Sequence, residues 1–544
     1  MKRKGNYIYK EFLRNNKWSI TGMVVLAILS SLGRIGGVSF VETIADTIQA
    51  GFPNGIWDFI LIVLLASAIM FSFYVLRVVG GIVDSKICGR LRVETQVRVV
   101  KHLSKIPFLK YEKYSTGELQ SIYRNDIDIA SDMVGNVFST ILGSIFLLVL
   151  QAAFMISLNL VAGIIVVGFS VGLSVVNYYT TKLYKRFQSI ERKTVGELTA
   201  VVEGVGHGMD TIKTYKARDY VMNSFLGIKR VYNKSTFNSQ KVSSASEGIY
   251  NLVGEGFFLG VIIIIGMSSI QGNMSIGQIL AFIAVYRDFT TPMRIVLAST
   301  RGYAREKIAW QRVYELLEVS EQDNCADETD DGAYDSVDTL DIQNIRFAYD
   351  ENADILHDFS ISLRKGQSHV LIGESGCGKT TFLKIMTGLY DAPYGAFLVD
   401  GEIADRERLF KSAVYVSSNN PLFTMSIYDN IALGNSGITR EMCDKLAREL
   451  GIGDWLDSLP DGLDTEISEN AKNISGGQQQ TINNMRALLS CSPVIILDEP
   501  NSALDKDKEA RLSKAIARMK HDKIILITSH RTDMIEFCDV VFGF

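Results

Sequence analysis

A chain of 544 residues exceeds what one hydrophobic core holds, so two to four domains are expected. A net charge of −4 argues against a nucleic-acid surface, and no nucleic-acid partner is expected. Six cysteines (Cys88, Cys325, Cys377, Cys443, Cys491, Cys538) stand without a CxxC pair, which argues against a zinc site or disulfide framework and fits a reducing compartment.

The chain opens with MKRKGNYIYKEFLRNNKW, basic and amphipathic, with no small-residue cleavage site before the first apolar run. It reads as a cytoplasmic lead-in helix, not a signal peptide. Hydrophobic residues make up 47% of the chain, and the excess sits in the first 300 residues. A bilayer core needs about 20 apolar residues in a helix. Runs of that kind predict six spans, at about 18–44, 55–84, 130–156, 158–180, 245–268 and 275–300, the third and fourth hinged at Ser157-Leu158-Asn159. The loops ETIADTIQAGFPN, SLN and SSIQGNMS lack Lys and Arg, whereas the connections after spans two and four are rich in both. This alternation predicts a multi-pass protein of the cell (inner) membrane, in contact with its lipid, with both termini cytoplasmic. The two long connections are polar with helical periodicity, so the spans are expected to continue beyond the bilayer as helical legs. Near their tips lie YEKYSTGELQSIYRNDID (111–128), whose STGE reads as a short capped helix, and TIKTYKARDY (211–220).

Ionisable residues inside spans are expensive and mark pathways. Arg34 lies deep in span one, and Glu255 and the Arg287-Asp288 pair lie near mid-membrane in spans five and six. They predict a polar cavity suited to a peptide, a zwitterion or a charged metabolite; structural ion pairs between spans are the alternative. The run 318–338, EVSEQDNCADETDDGAYDSVD, has nine acidic residues and no basic one and reads as a solvated linker. The division is therefore a helical membrane domain at 1–317, a linker at 318–338 and a second domain at 339–544.

From Thr339 short strands alternate with helices, an α/β pattern. SHVLIGESGCGKTTFLKIM is a strand, a glycine loop and a helix start. Its core, Gly373-Glu374-Ser375-Gly376-Cys377-Gly378-Lys379-Thr380, followed by Thr381, matches the phosphate-loop pattern in full. The glycines let backbone N–H groups wrap the polyphosphate of ATP, Lys379 reaches the terminal phosphates, and the Thr380 hydroxyl can ligate Mg²⁺. PVIILDEP then delivers Asp498 and Glu499 to a strand end, Asp498 to hold Mg²⁺ through water and Glu499 to orient or deprotonate an attacking water. Cys377 lies in the glycine loop at a helix N-terminus and is expected to react with alkylating agents when ATP is absent.

With these motifs in place the chain resembles an ABC transporter of the exporter type, a half-transporter fusing an all-α six-helix transmembrane domain with long cytoplasmic helical extensions to a P-loop α/β nucleotide-binding domain. ISGGQ (474–478) resembles the family's signature motif. The resemblance implies that Ser475, Gly476, Gly477 and Gln478 close on ATP bound to a second chain, and glycine permits that close approach. It further implies that Tyr349 stacks on adenine and that His530 contacts the γ-phosphate. Ser502 to Asp505 would link the two ATP sites, and TGELQSIYRND would be the first coupling helix, resting on a nucleotide-binding domain. Departures accompany the matches. Ser418 stands where the family's sensing loop has glutamine, with Asn419 or Asn420 as substitutes, and Gln479, Gln480 and Thr481 replace basic residues. Asn483 and Asn484 replace small apolar ones, and the sequence reaches Phe544 soon after His530, short of the family's further strand and helix. Slow or tightly coupled hydrolysis is the expectation. The function implied is ATP-driven export of a small-molecule or peptide substrate by a dimer, more readily a homodimer than a heterodimer. The alternatives are a slow-turnover nucleotide-gated sensor or scaffold, and a lipid flippase.

Overall fold

The computed structural model describes residues 7–51, 55–320, 336–349, 354–374, 376–392, 394–417, 420–468, 471–529 and 535–544. The expected site residues Ser375, Ser418 and His530 lie outside the described residues. The chain folds as two units, one of residues 1–98 with 120–316 and one of residues 99–119 with 317–544.

The first unit is helical. After a short α1 (Tyr7–Asn15) come α2 (Lys17–Gln49), α3 (Ile56–Leu103), α4 (Thr116–Leu158), α5 (Leu160–His207), α6 (Arg218–Ile270) and α7 (Ile276–Leu317). At about 1.5 Å per residue, the 53-residue α6 is about 80 Å long, far more than a hydrocarbon core of about 30 Å. The expected spans thus do extend as legs. Four helices among the described residues (Lys17–Gln49, Phe59–Leu103, Thr116–Leu158, Arg218–Ile270) are long and apolar enough to cross a membrane by themselves. The other two expected spans lie in α5 and α7: Leu160–Leu173 of α5 is apolar, and α7 carries Arg287, Asp288 and Arg294 in close succession.

Asn159 separates α4 from α5 because its side chain accepts a hydrogen bond from the Ala162 N–H at 2.9 Å, a helix N-cap. Met155, Val166, Phe258, Ile265, Phe282 and Val285, from four helices, pack into a shared core. Large apolar side chains such as Leu64, Phe71, Ile263 and Val161 point outward, the reverse of a water-soluble bundle. Asp46, near the end of α2, accepts from the Gly277 N–H at 3.0 Å and the Ser275 hydroxyl at 3.1 Å, tying α2 to the start of α7.

The second unit holds two sheets. Strands β1 (Thr339–Ala348), β2 (Asp354–Arg364), β4 (Tyr394–Val399) and β5 (Glu402–Ile403) form an antiparallel sheet in the order β2-β1-β4-β5. A parallel sheet takes the order β6-β7-β8-β3-β9, from β3 (Ser368–Ile372), β6 (Ala413–Val416), β7 (Val494–Asp498), β8 (Ile524–Thr528) and β9 (Val540–Gly543). Strands β7 and β8 are buried throughout, as a parallel sheet covered on both faces requires. Among the helices of this unit are α8 (Lys379–Met386), α9 (Gly476–Leu488) and α10 (Lys506–Met519).

Candidate functional site

In an open parallel sheet the loops beyond the strands' carboxyl ends gather into one crevice. Here those ends carry the glycine loop after β3, the loop after β6 and the two acids after β7. Gly378 sits at φ +110°, and a Cβ there would come within 2.9 Å of Ile355 and 3.1 Å of Leu356, so both the backbone and the space demand glycine. The Lys379 ammonium donates to the Gly373 and Glu374 carbonyls, each at 2.7 Å, and lies 3.8 Å from the Cys377 sulfur. Gly376, at φ +86°, completes the loop.

Asp498 ends β7 and is almost fully buried. Its Oδ2 accepts from the Thr380 hydroxyl at 3.1 Å and the Tyr415 hydroxyl at 3.0 Å, and its Oδ1 accepts from the Thr528 hydroxyl at 2.6 Å. All three donors are neutral, so the carboxylate is held in place without being neutralised. Tyr415 was not singled out from the sequence, where it is one aromatic in the strand AVYV. It reaches Asp498 because β6 lies beside β7. Burial, with the Asp498 charge next to it, pushes the Tyr415 phenol well above its ordinary value, so it stays a donor.

Glu499 follows in a left-handed conformation, φ +50°, uncommon for a residue with a side chain. Its N–H meets the Thr528 hydroxyl at 3.0 Å and the Thr528 carbonyl at 3.2 Å, and its carbonyl accepts from the Ser502 N–H at 3.2 Å. Asp505 caps α10, accepting from the Lys508 N–H at 2.9 Å, and that bond holds its carboxyl below the usual range.

The signature stretch forms the start of α9. Ser475 and Gln478 make a reciprocal capping box: the Gln478 N–H donates to the serine hydroxyl at 3.3 Å, and the Ser475 N–H donates to the glutamine carbonyl at 2.7 Å. Ser475 is exposed, and its hydroxyl keeps an O–H to donate. Gly476 is exposed, and a Cβ on Gly477 would sit 3.1 Å from the Ala503 carbonyl.

Tyr349 is 44% exposed, its hydroxyl 3.0 Å from the Thr381 hydroxyl and its ring edge-on to Phe347 and Tyr390. A second group, missed in the sequence, converges on Tyr390. Glu112 accepts from Tyr390 and from the Lys384 ammonium at 2.7 Å, and Phe108 packs against the Tyr390 ring at 6.1 Å. Within TGELQSIYRND (116–126), Thr116–Ser121 buries no residue, whereas Ile122 and Asp126 are buried. The contacts around Tyr390 lie earlier in the chain, where Phe108 and Leu109 supply the apolar surface.

In the helical unit Arg34 and Asp288 are ion-paired, and the Gln151 amide donates to Asp288 at 2.7 Å. Glu255 and Arg287 are exposed and do not join them; the Arg287 guanidinium lies 5.3 Å from the Phe258 ring centre.

Comparison with known proteins agrees with this geometry. The family model described as "ABC transporter transmembrane region" matches residues 20–293, and that described as "ABC transporter" matches residues 356–502. The ATP-dependent lipid A-core flippase of Vibrio cholerae serotype O1 is 25% identical over 538 residues, covering 96% of this chain and 90% of the relative. The flippase of the same name from Hahella chejuensis is 27% identical over 559 residues, covering 99% and 92%. Among solved structures, that of a bacterial Atm1-family ABC exporter with ATP bound superposes with a TM-score of 0.77 at 21% identity, covering 98% of this chain and 93% of that one, a likeness of fold.

Proposed function

The chain belongs to the ABC transporter family as an exporter-type half-transporter, and from that premise we propose that two copies form an ATP-driven pump for an amphipathic substrate. The convergence of Thr380, Tyr415 and Thr528 on Asp498, beside the glycine loop, carries this reading. Lys379 trades its two loop carbonyls for terminal phosphate oxygens as ATP binds. Tyr349 offers its exposed ring to adenine. Among the described residues no three His, Cys, Asp or Glu side chains cluster to hold a metal. Mg²⁺ needs few protein ligands where phosphate oxygens supply the rest, and the Thr380 hydroxyl and Asp498 carboxylate are the pair that fits it. Bound there, Mg²⁺ supplies charge neutralisation at the phosphates. Glu499 orients and deprotonates the attacking water, and His530 takes the role the family resemblance implies, contact with the γ-phosphate.

The exposed turn Ser475–Gly477 gives the site its dimeric character, since it meets no phosphate of its own subunit in this reading. Exposed Tyr215 and Tyr220, at 80% and 81%, support docking of the second connection's tip on a partner chain. Six spans with both termini cytoplasmic, in an inner membrane, follow from the charge alternation and the apolar helices. An amphipathic, lipid-like substrate draws support from the names of the relatives and from exposed Glu255 and Arg287 in the expected spans.

The test is ATP hydrolysis by the purified chain in lipid vesicles beside Glu499→Gln. A drop of about 100-fold or more is expected, together with stimulation of the unsubstituted chain by a lipid A-type amphiphile. Hydrolysis equal in both proteins would refute the assignment of Glu499. Nucleotide binding with no turnover would favour the sensor reading.

A further inference from the structure

The helix that begins with the signature glycines carries buried amides. Gln480, Asn483 and Asn484 are at most 4% exposed. Asparagine is a poor residue for a helix interior, and buried amide atoms without partners destabilise a fold. Among the described residues Gln480 Nε2, Asn483 Oδ1 and Asn484 Oδ1 have no protein partner. Apolar side chains would fill these positions without that penalty. The amides are therefore retained for the bonds they do make, and those bonds run in two directions.

Asn484 donates at 2.9 Å to the carbonyl of Pro500, the residue that directly follows Glu499. Asn483 donates to the Asn420 carbonyl at 2.9 Å, in the loop after β6, with Gln479 reaching the same oxygen at 3.5 Å. Glu499 stands at φ +50°, a conformation that persists only when its neighbours over-determine it. Thr528 fixes the residue from the amino side and Asn484 fixes the next peptide from the carboxyl side. At its other end the same helix begins with Ser475 and with Gly477, closely packed on the Ala503 carbonyl.

We propose that Asn483 and Asn484 are positioning residues that make α9 a strut, carrying the placement of the signature turn to Glu499 and to the sensing loop of the same subunit. A signature turn seated on the partner's ATP would then set Glu499 for hydrolysis in its own site, so that each site reads the other's occupancy. The inference rests on the proposed docking of the signature on a second chain's nucleotide.

The test uses the full chain in lipid vesicles with Asn484→Leu, which removes the donor and the unpartnered oxygen together. The expected result is a kcat lower by about tenfold or more, as misplacement of a reacting group produces. The Hill coefficient for ATP should fall toward one. Affinity for a fluorescent ATP analogue should hold within about twofold and Tm within about 2 °C. An unchanged kcat and Hill coefficient would overturn the proposal, as would losses that track a fall in Tm. Asn483→Ala repeats the test at the sensing-loop arm and decides it if Asn484→Leu does not fold. Unsubstituted chain that hydrolyses ATP without cooperativity and without need of Glu499 would instead sink the dimeric reading. Cooperative, Glu499-dependent hydrolysis that survives both substitutions would sink the strut alone.

Discussion

Asp498 in the ATP-binding unit and Asp288 in the helical unit are two sheltered carboxylates with opposite surroundings. Asp498 takes hydrogen bonds from three hydroxyls, those of Thr380, Tyr415 and Thr528. Asp288 takes an ion pair from Arg34 and an amide from Gln151. Hydroxyls orient a carboxylate and leave its charge uncompensated, whereas a guanidinium cancels it. The first arrangement keeps a negative charge ready for a cation that arrives with the nucleotide. The second joins α2, α4 and α7 and has no charge to spare. A polar group's role is thus read from what neutralises it, not from its burial.

The strongest way to break this comparison is Asp498→Asn, which keeps the shape and deletes the charge. Hydrolysis should fall by about 100-fold or more, and electron paramagnetic resonance should show Mn²⁺ binding in the presence of ATP weakened alongside it. Undiminished Mn²⁺ affinity would mean that the uncompensated charge serves some other purpose.

Asp288→Ala tests the other side. Removing one partner strands Arg34, and since the pair is about a quarter to a third exposed, the cost should be about 1–2 kcal/mol rather than the 3–5 of a fully buried pair. The double substitution Arg34→Ala with Asp288→Ala should cost less than the sum of the single ones, measured by thermal unfolding in detergent. Additive losses would show that the pair contributes nothing as a pair. A substrate affinity that falls in step with loss of either charge, at constant stability, would move the pair from clamp to cavity.

The sequence made the phosphate loop legible because its chemistry is contiguous: strand, glycines, lysine and threonine occupy one short run, and the structure keeps that run together. The charged residues of the spans were equally visible, but their pairing was not, since Arg34 and Asp288 are 254 positions apart and only helix packing joins them. The same limit hid the contact made by Glu112. The capping pattern marked a short helix at STGE without indicating that Phe108 and Leu109, earlier in the chain, pack around Tyr390. Ser475 illustrates a milder gap. A serine, two glycines and a glutamine that read as an anion-facing motif also form a capping box, and the hydroxyl serves the backbone while keeping its proton for a ligand. Tyr415 was invisible for a topological reason, because which strands are neighbours in a parallel sheet is not written in any one of them.

Tyr415→Phe sharpens the comparison with the smallest step. The ring is kept, and Asp498 retains the hydroxyls of Thr380 and Thr528, one on each oxygen. One hydrogen bond to a charged group is lost, worth about 1.5 kcal/mol if all of it is felt in the transition state, or about tenfold in rate. The loss should be smaller, about threefold, because the two remaining donors hold the carboxylate's position. The departing hydroxyl also competed with the cation for Oδ2, so the half-saturating Mg²⁺ concentration should stay level or drop slightly while kcat declines. A Tyr415→Phe protein as inactive as Asp498→Asn would show that the three donors are not interchangeable and that the phenol holds the geometry alone. A rise in the Mg²⁺ requirement would show that the hydroxyl helps present the carboxylate to the cation rather than competing with it.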